Sequence, residues 1–167
     1  QWDRGAPDAA QAVAALLAGH ERLVVGSPWY VALEELVRIV TPNLPVVTVR
    51  FDVNGAVEGS FVVMLDVPAA HTIHRRLSRR APPGPSTGPL SPQALATLGE
   101  VGNIAVSACL NSFARVLGGA CIPSVPSLAE GTSAELLRAA FRSPLPICVT
   151  PVDIDDSRVW LCMNDRA

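Results

Sequence analysis

Two side chains in this sequence have the types and spacing to do chemistry together: Glu100 and Asn103, within ALATLGEVGNIAVSACLNSFARVL (Ala94–Leu117). On an α-helix, residues three apart project side by side from one face. A carboxamide is a poor base and a poor nucleophile, but it donates and accepts hydrogen bonds at the same time. That suits Asn103 to holding a water molecule in line with a phosphoryl group, where catalysis depends mostly on positioning and charge stabilisation. Glu100, one turn away, is placed to pair with a lysine on a partner and set the docking register.

The segment that must position them has helix signals at both ends. Ser91 can cap the N-terminus, Pro92 suits the first helical position, and Gly118-Gly119 stop the helix. On a period of 3.6, Leu98, Val101, Ala105, Cys109, Ser112 and Val116 form an inward stripe, flanked by Ala108 and Phe113. The opposite side holds Ala96, Glu100, Asn103, Val106, Ser107, Leu110 and Ala114. One carboxylate and one carboxamide among small and apolar neighbours read as a docking surface with a polar centre. Ala96, Val106, Ser107 and Leu110 are therefore expected to touch the partner around Glu100 and Asn103. A helix apolar nearly all round is either buried or waiting for a partner.

The chain also resembles itself. At an offset of 98 residues, AAQAVAALLAGHERLVVGSPW (from Ala9) falls on SACLNSFARVLGGACIPSVPS (from Ser107), and Pro28 meets Pro126. At about 100, Glu35, Leu36 and Arg38 meet Glu135, Leu136 and Arg138; after one inserted residue, Leu44-Pro45 meets Leu145-Pro146. Each half reads as helix, strand, short helix, strand, turn, strand. In the first half these are Ala9–Gly19, Arg22–Val25, Leu33–Ile39, Pro45–Asp52 and Glu58–Leu65 around the turn signal Asn54-Gly55, followed by a helix at Pro68–Arg79. In the second half the strands are Cys121–Val125, Pro146–Ile154 and Arg158–Met163, with Asp155-Asp156-Ser157 as the turn. Tight turns imply antiparallel pairing. The predicted fold is α+β: two pseudo-symmetric repeats sharing one largely antiparallel sheet, covered on one side by helices. It is read as one domain over 1–167, with half-repeats of about 1–79 and 91–167 and a flexible Pro/Gly-rich loop at 81–89.

Composition narrows the function classes. A formal net charge of −2 argues against a nucleic-acid or acidic-membrane partner. Asn103, Asn111 and Arg115 interrupt the most apolar stretch, so no membrane span is expected. The N-terminus QWDRGAPD has no secretory-signal pattern, and Cys109, Cys121, Cys148 and Cys162 are too few and too scattered for a disulfide scaffold. They read as small hydrophobes in a reducing cytoplasm. His20, His71 and His74 show no ligand spacing with cysteine or carboxylate, so no metal site is expected. His71 and His74 read as surface histidines, and Arg75, Arg76, Arg79 and Arg80 as a solvated helix end or, alternatively, a contact for phosphate or an acidic partner. A ligand-sensing pocket between the halves ranks low, because no polar groups converge on one in the sequence.

With these residues in view, the chain resembles the CheC/CheX/FliY family of bacterial chemotaxis phosphatases over almost its whole length. The resemblance rests on the doubled half, on Asn54, Gly55, Glu58, Gly59 and Ser60, on Glu100-Val101-Gly102-Asn103-Ile104, and on the following Ser124-Val125-Pro126. Two flanking positions depart: Ala96 stands where the family tends to have Ser or Asp, and Ser107 where it has Gly. Members can carry the motif in both halves. Here the 98-residue offset puts Glu100 on Trp2 and Asn103 on Gly5, which leaves one site.

The resemblance implies a phosphatase acting on an aspartyl-phosphorylated response regulator of the CheY type. Asn103 would orient the hydrolytic water and Glu100 would bind the regulator's lysine. The regulator would bring the Mg²⁺, so the chain needs no cofactor of its own. The alternative is a non-catalytic adaptor or scaffold that binds a response regulator, a CheD-like deamidase or a flagellar switch component. Relatives occur with and without strand exchange, so monomer and homodimer are both compatible.

Overall fold

The computed structural model describes residues 2–16, 23–78 and 87–165, with the side chains of all but 2–4. His20, Arg22, Arg79, Arg80, most of the Pro/Gly-rich stretch and the side chain of Trp2 lie outside the described set. The elements are α1 (Trp2–Leu16), β1 (Leu23–Val25), β2 (Trp29–Val31), α2 (Leu33–Val40), β3 (Pro45–Gly55), β4 (Gly59–Asp66), α3 (Val67–Leu77), α4 (Pro92–Leu117), β5 (Cys121–Pro123), β6 (Ser127–Thr132), α5 (Ser133–Ala140), β7 (Ile147–Ile154) and β8 (Ser157–Asp165). The order α-β-β-α-β-β runs twice, with α3 as the connection.

All the strands join one antiparallel sheet in the order β1-β7-β8-β4-β3-β5, with β2 also on β7 and β6 also on β3. The central pair, β4 and β8, comes from the two halves, joined from Gly59↔Asp165 to Leu65↔Val159. Beyond the outer strands read from sequence, Arg22–Val25 and Cys121–Val125, each half adds a second short strand with no counterpart in that reading, β2 (Trp29–Val31) and β6 (Ser127–Thr132). Pro28 and Pro126 fall at the breaks between the short strands, where each leaves one backbone position without an N–H to donate.

Helices cover both faces of the sheet, not one. On one face Val47, Val49, Phe51, Phe61, Val63, Leu65, Val159, Leu161 and Met163 meet α1, α3 and α4. On the other, Val46, Val62, Met64, Ile147, Val149, Trp160 and Cys162 meet Leu36, Val37 and Val40 of α2 and Leu137 and Phe141 beside α5. The side chains of a strand alternate between faces, so a strand buried on both must be apolar throughout. β4 (GSFVVMLD) is such a strand: everything in it but Asp66 is buried.

The ladder registers also correct the repeat offset. α2 and α5 superpose end for end at 100 residues, and β2 and β6 lead directly into them. The pairings then require 100 for β1 and β5, 101 for β3 and β7, and 98 for β4 and β8. The first hairpin turn is longer than the second, which separates the last two values. In α1 and α4 the burial patterns agree with 100. Gly5, Ala6, Ala9, Ala10 and Val13 then fall on Ala105, Val106, Cys109, Leu110 and Phe113, all buried. At 98 they would fall on Asn103, Ile104, Ser107, Ala108 and Asn111, none of them buried. Two residues are 200° of helix, enough to turn the outward face inward.

Candidate functional site on the long helix

α4 forms for the local reasons its sequence suggests. Ser91 accepts from the Ala94 N–H at 3.1 Å, Pro92 occupies the first turn, and Gly118 closes the end in the left-handed conformation at φ 67°, its N–H bonded to the Ala114 carbonyl. Halfway along, Gly102 lies on the sheet. A Cβ there would sit 2.7 Å from Val49 Cγ1 and 3.1 Å from Phe51 Cε2. The missing side chain lets the helix approach β3 closely, and this sets the height of its neighbours Glu100 and Asn103 above the sheet.

The exposed stripe of α4 runs through Gln93, Ala96, Glu100, Ile104, Ser107 and Asn111. Glu100 is exposed and makes no hydrogen bond or ion pair among the described residues. Asn103 is partly exposed on one edge of the stripe, and its carboxamide likewise has no partner among the described residues. That edge faces the link between β5 and β6: four residues earlier, a Cβ on Gly99 would touch Leu128 and Pro126. The other edge is held to α3, where His74 Nδ1 lies 3.2 Å from Thr97 Oγ1. His71 Nε2 lies 3.1 Å from the Gly88 carbonyl. Both ring systems, read from sequence as free surface histidines, fasten α3 to its surroundings.

Four residues were expected to ring the pair, and the structure keeps two of them outside. Ala96 and Ser107 are exposed. Val106 and Leu110 are not available to a partner: they are 0% and 3% exposed, within the core between α4 and the sheet. An apolar side chain near the rim of a helical wheel turns inward when neighbours flank the helix on both sides, as α1, α3 and the β5–β6 edge do here. Val116, placed on the inward stripe, is instead 51% exposed. The apolar surface near the pair comes from residues the periodicity did not single out: Ile104 (41% exposed), on the stripe itself, and Val125 (85%), in the facing link.

At the corrected offset Asn103 corresponds to Asp3, not Gly5, and the counterpart of Glu100 falls before Gln1. No asparagine occupies the matching place in α1. Among the described residues, no group of three His, Cys, Asp or Glu side chains could hold a metal ion, and no helix is long and apolar enough to cross a membrane.

The arrangement offers a carboxylate and a carboxamide, both unpaired among the described residues, on one long helix, with apolar side chains nearby. The carboxamide is neither a useful base nor a nucleophile, so the chemistry open to Asn103 is to position groups that another molecule brings.

No family model matches the chain, and no curated protein does. Solved structures do match. CheX in the CheX–CheY–BeF3–Mg²⁺ complex from Borrelia burgdorferi superposes with a TM-score of 0.73 at 18% identity, covering 100% of this chain and 99% of that one. FliY from Thermotoga maritima gives 0.70 at 14%, covering 98% and 85%. The FliM middle domain from H. pylori gives 0.64 at 13%, covering 96% and 84%. The chain therefore has the fold shared by these chemotaxis and FliM structures.

Proposed function

We propose that this protein is a phosphatase of an aspartyl-phosphorylated, CheY-type response regulator, and that the outward face of α4 docks on the regulator's active site. Asn103 enters and holds the attacking water in line with the phosphoryl group. Glu100 pairs with the regulator's lysine and fixes the approach. The Mg²⁺ and the phosphoaspartate belong to the regulator. The observation that carries the reading is Asn103 itself: a carboxamide with no partner among the described residues, at the edge of the exposed stripe of α4, one turn from a carboxylate that is also unpaired among them. The fold supports it, since one protein with this fold, CheX, is captured with CheY in the presence of BeF3 and Mg²⁺.

A second reading is favoured by the FliM structures, which share the fold: a scaffold that binds a response regulator, a CheD-like deamidase or a switch component without hydrolysis. One experiment separates the two. A phosphorylated CheY-type regulator is mixed with substoichiometric protein and its phosphoaspartate is followed. Multiple turnovers per molecule support the phosphatase; binding with unchanged decay supports the scaffold.

A further inference from the structure

The face of the sheet opposite α4 carries a polar cleft that the phosphatase reading does not use. It holds about 480 Å³, is lined by Arg50, Ser60, Ala140, Arg142, Ser143 and Asn164, and lies within the range of small-molecule sites. Arg50 and Ser60 come from the first half of the chain and the others from the second. No sequence pattern signals this convergence, because β3, β4, β8 and the end of α5 meet only through the sheet register.

Three features mark the cleft as built for a ligand. First, Asn164 is 3% exposed, and its Oδ1 is buried with no hydrogen-bond partner. Buried polar atoms are nearly always paired, so an orphan lining a cleft points to a group that is supplied from outside. Second, the charge is one-sided. No carboxylate lines the cleft. Arg50 Nη2 is paired with Asp52 Oδ1 at 2.9 Å, whereas Arg142 has no ion pair or hydrogen bond among the described residues. Third, the matching place in the other half is internally satisfied. The row Asp52, Ser60, Asn164 across β3, β4 and β8 corresponds to Asp153, Arg158, Asp66 across β7, β8 and β4. There Arg158 binds Asp153 through its guanidinium and Asp66 through its backbone N–H. Arg50 itself corresponds to Pro151. The fold does not require the polar set at the Asn164 end.

We propose that this cleft binds a small organic anion in which a carboxylate lies beside a hydroxyl or amino group. The unpaired guanidinium of Arg142 takes the carboxylate, a geometry that planar guanidinium matches in two-point fashion. Asn164 Oδ1 accepts from the adjacent O–H or N–H. The proposal is independent of the phosphatase reading.

The test uses the whole chain and four probes: L-malate, L-aspartate, succinate and inorganic phosphate, by calorimetric titration and thermal shift. Saturable binding of malate or aspartate, at least tenfold tighter than succinate, is expected. Arg142→Ala should weaken that binding at least tenfold, with the melting temperature of the free protein unchanged. Asn164→Leu should remove the preference over succinate and leave the free protein at least as stable, since it deletes an orphaned buried oxygen. Preference for phosphate over all three organic acids, no saturable binding of any probe, or binding that Arg142→Ala leaves intact would each overturn the proposal.

Discussion

At the residue scale the account rests on two side chains that make no hydrogen bond or ion pair among the described residues. Glu100 is exposed and unpaired, so Glu100→Ala should leave the melting temperature unchanged while weakening the complex with a phosphorylated regulator about tenfold, close to 1.4 kcal/mol. A large fall in stability would mean that the carboxylate is structural. Leu110→Ala should do the opposite. Its side chain is core, and its removal should cost about 2–5 kcal/mol of stability, read from denaturant unfolding, in place of a selective loss of affinity. The contrast tests the correction made above, in which Val106 and Leu110 pass from the docking face to the interior.

Why the sequence misplaced those two is a matter of arc width. A wheel divided into equal inward and outward halves suits a helix resting on one surface. α4 touches the sheet, α1, α3 and the β5–β6 edge, so its buried arc exceeds half of its circumference. The polar residues gave a better guide than the midline did. Glu100, Ser107 and Asn111 all lie outside, and Asn103 marks the border.

At the element scale, local signals were legible and pairwise ones were not. The ends of α4 are written in Ser91, Pro92 and Gly118, each acting within four residues of itself. Asn54-Gly55, read as the hairpin turn, instead end β3 and pair with β5, and the turn follows at Ala56–Glu58; Gly55 has φ 117°, and a Cβ there would lie 2.3 Å from the Ala120 carbonyl oxygen. The covering of both sheet faces was legible in principle, because the unbroken apolar runs of β4 and β8 leave no face for water. The repeat offset was not, since a two-residue slip in a helix changes few identities but reverses every direction. Gly102 supplies the test at this scale. Gly102→Ala forces a methyl against Val49 and Phe51, with an expected loss of about 1–3 kcal/mol and a fall in phosphatase activity larger than in regulator binding. Wild-type activity in this variant would show that the height of α4 above the sheet does not set the geometry of the site.

At the scale of the whole molecule, the sheet shields most of the thiols. Burial pushes the Cys109 and Cys162 thiols well above the ordinary cysteine range, the neighbouring Cys148 adding to the effect, so the folded state holds both protonated. The unfolded chain releases those protons once pH passes about 8.5, so the stability tied to the two thiols is complete below that value and is lost as pH rises above it. Urea midpoints measured from pH 7 to pH 10 should fall on the alkaline side, and replacing both residues with alanine should flatten that part of the slope. In the native state a thiol reagent should modify Cys121, which is partly exposed, well before Cys109, Cys148 and Cys162, which are buried. Rapid modification of all four thiols in the folded protein would contradict the packing of both core layers.

The central claim is that Asn103 positions a water in another protein's active site. It is tested most directly by the first-order decay of phosphoaspartate on a CheY-type regulator, measured with catalytic amounts of the intact protein and of Asn103→Ala. The account predicts accelerated decay with the intact chain and a loss of about a hundredfold or more of that acceleration in the variant, with regulator binding retained. Equal acceleration by both proteins would contradict it.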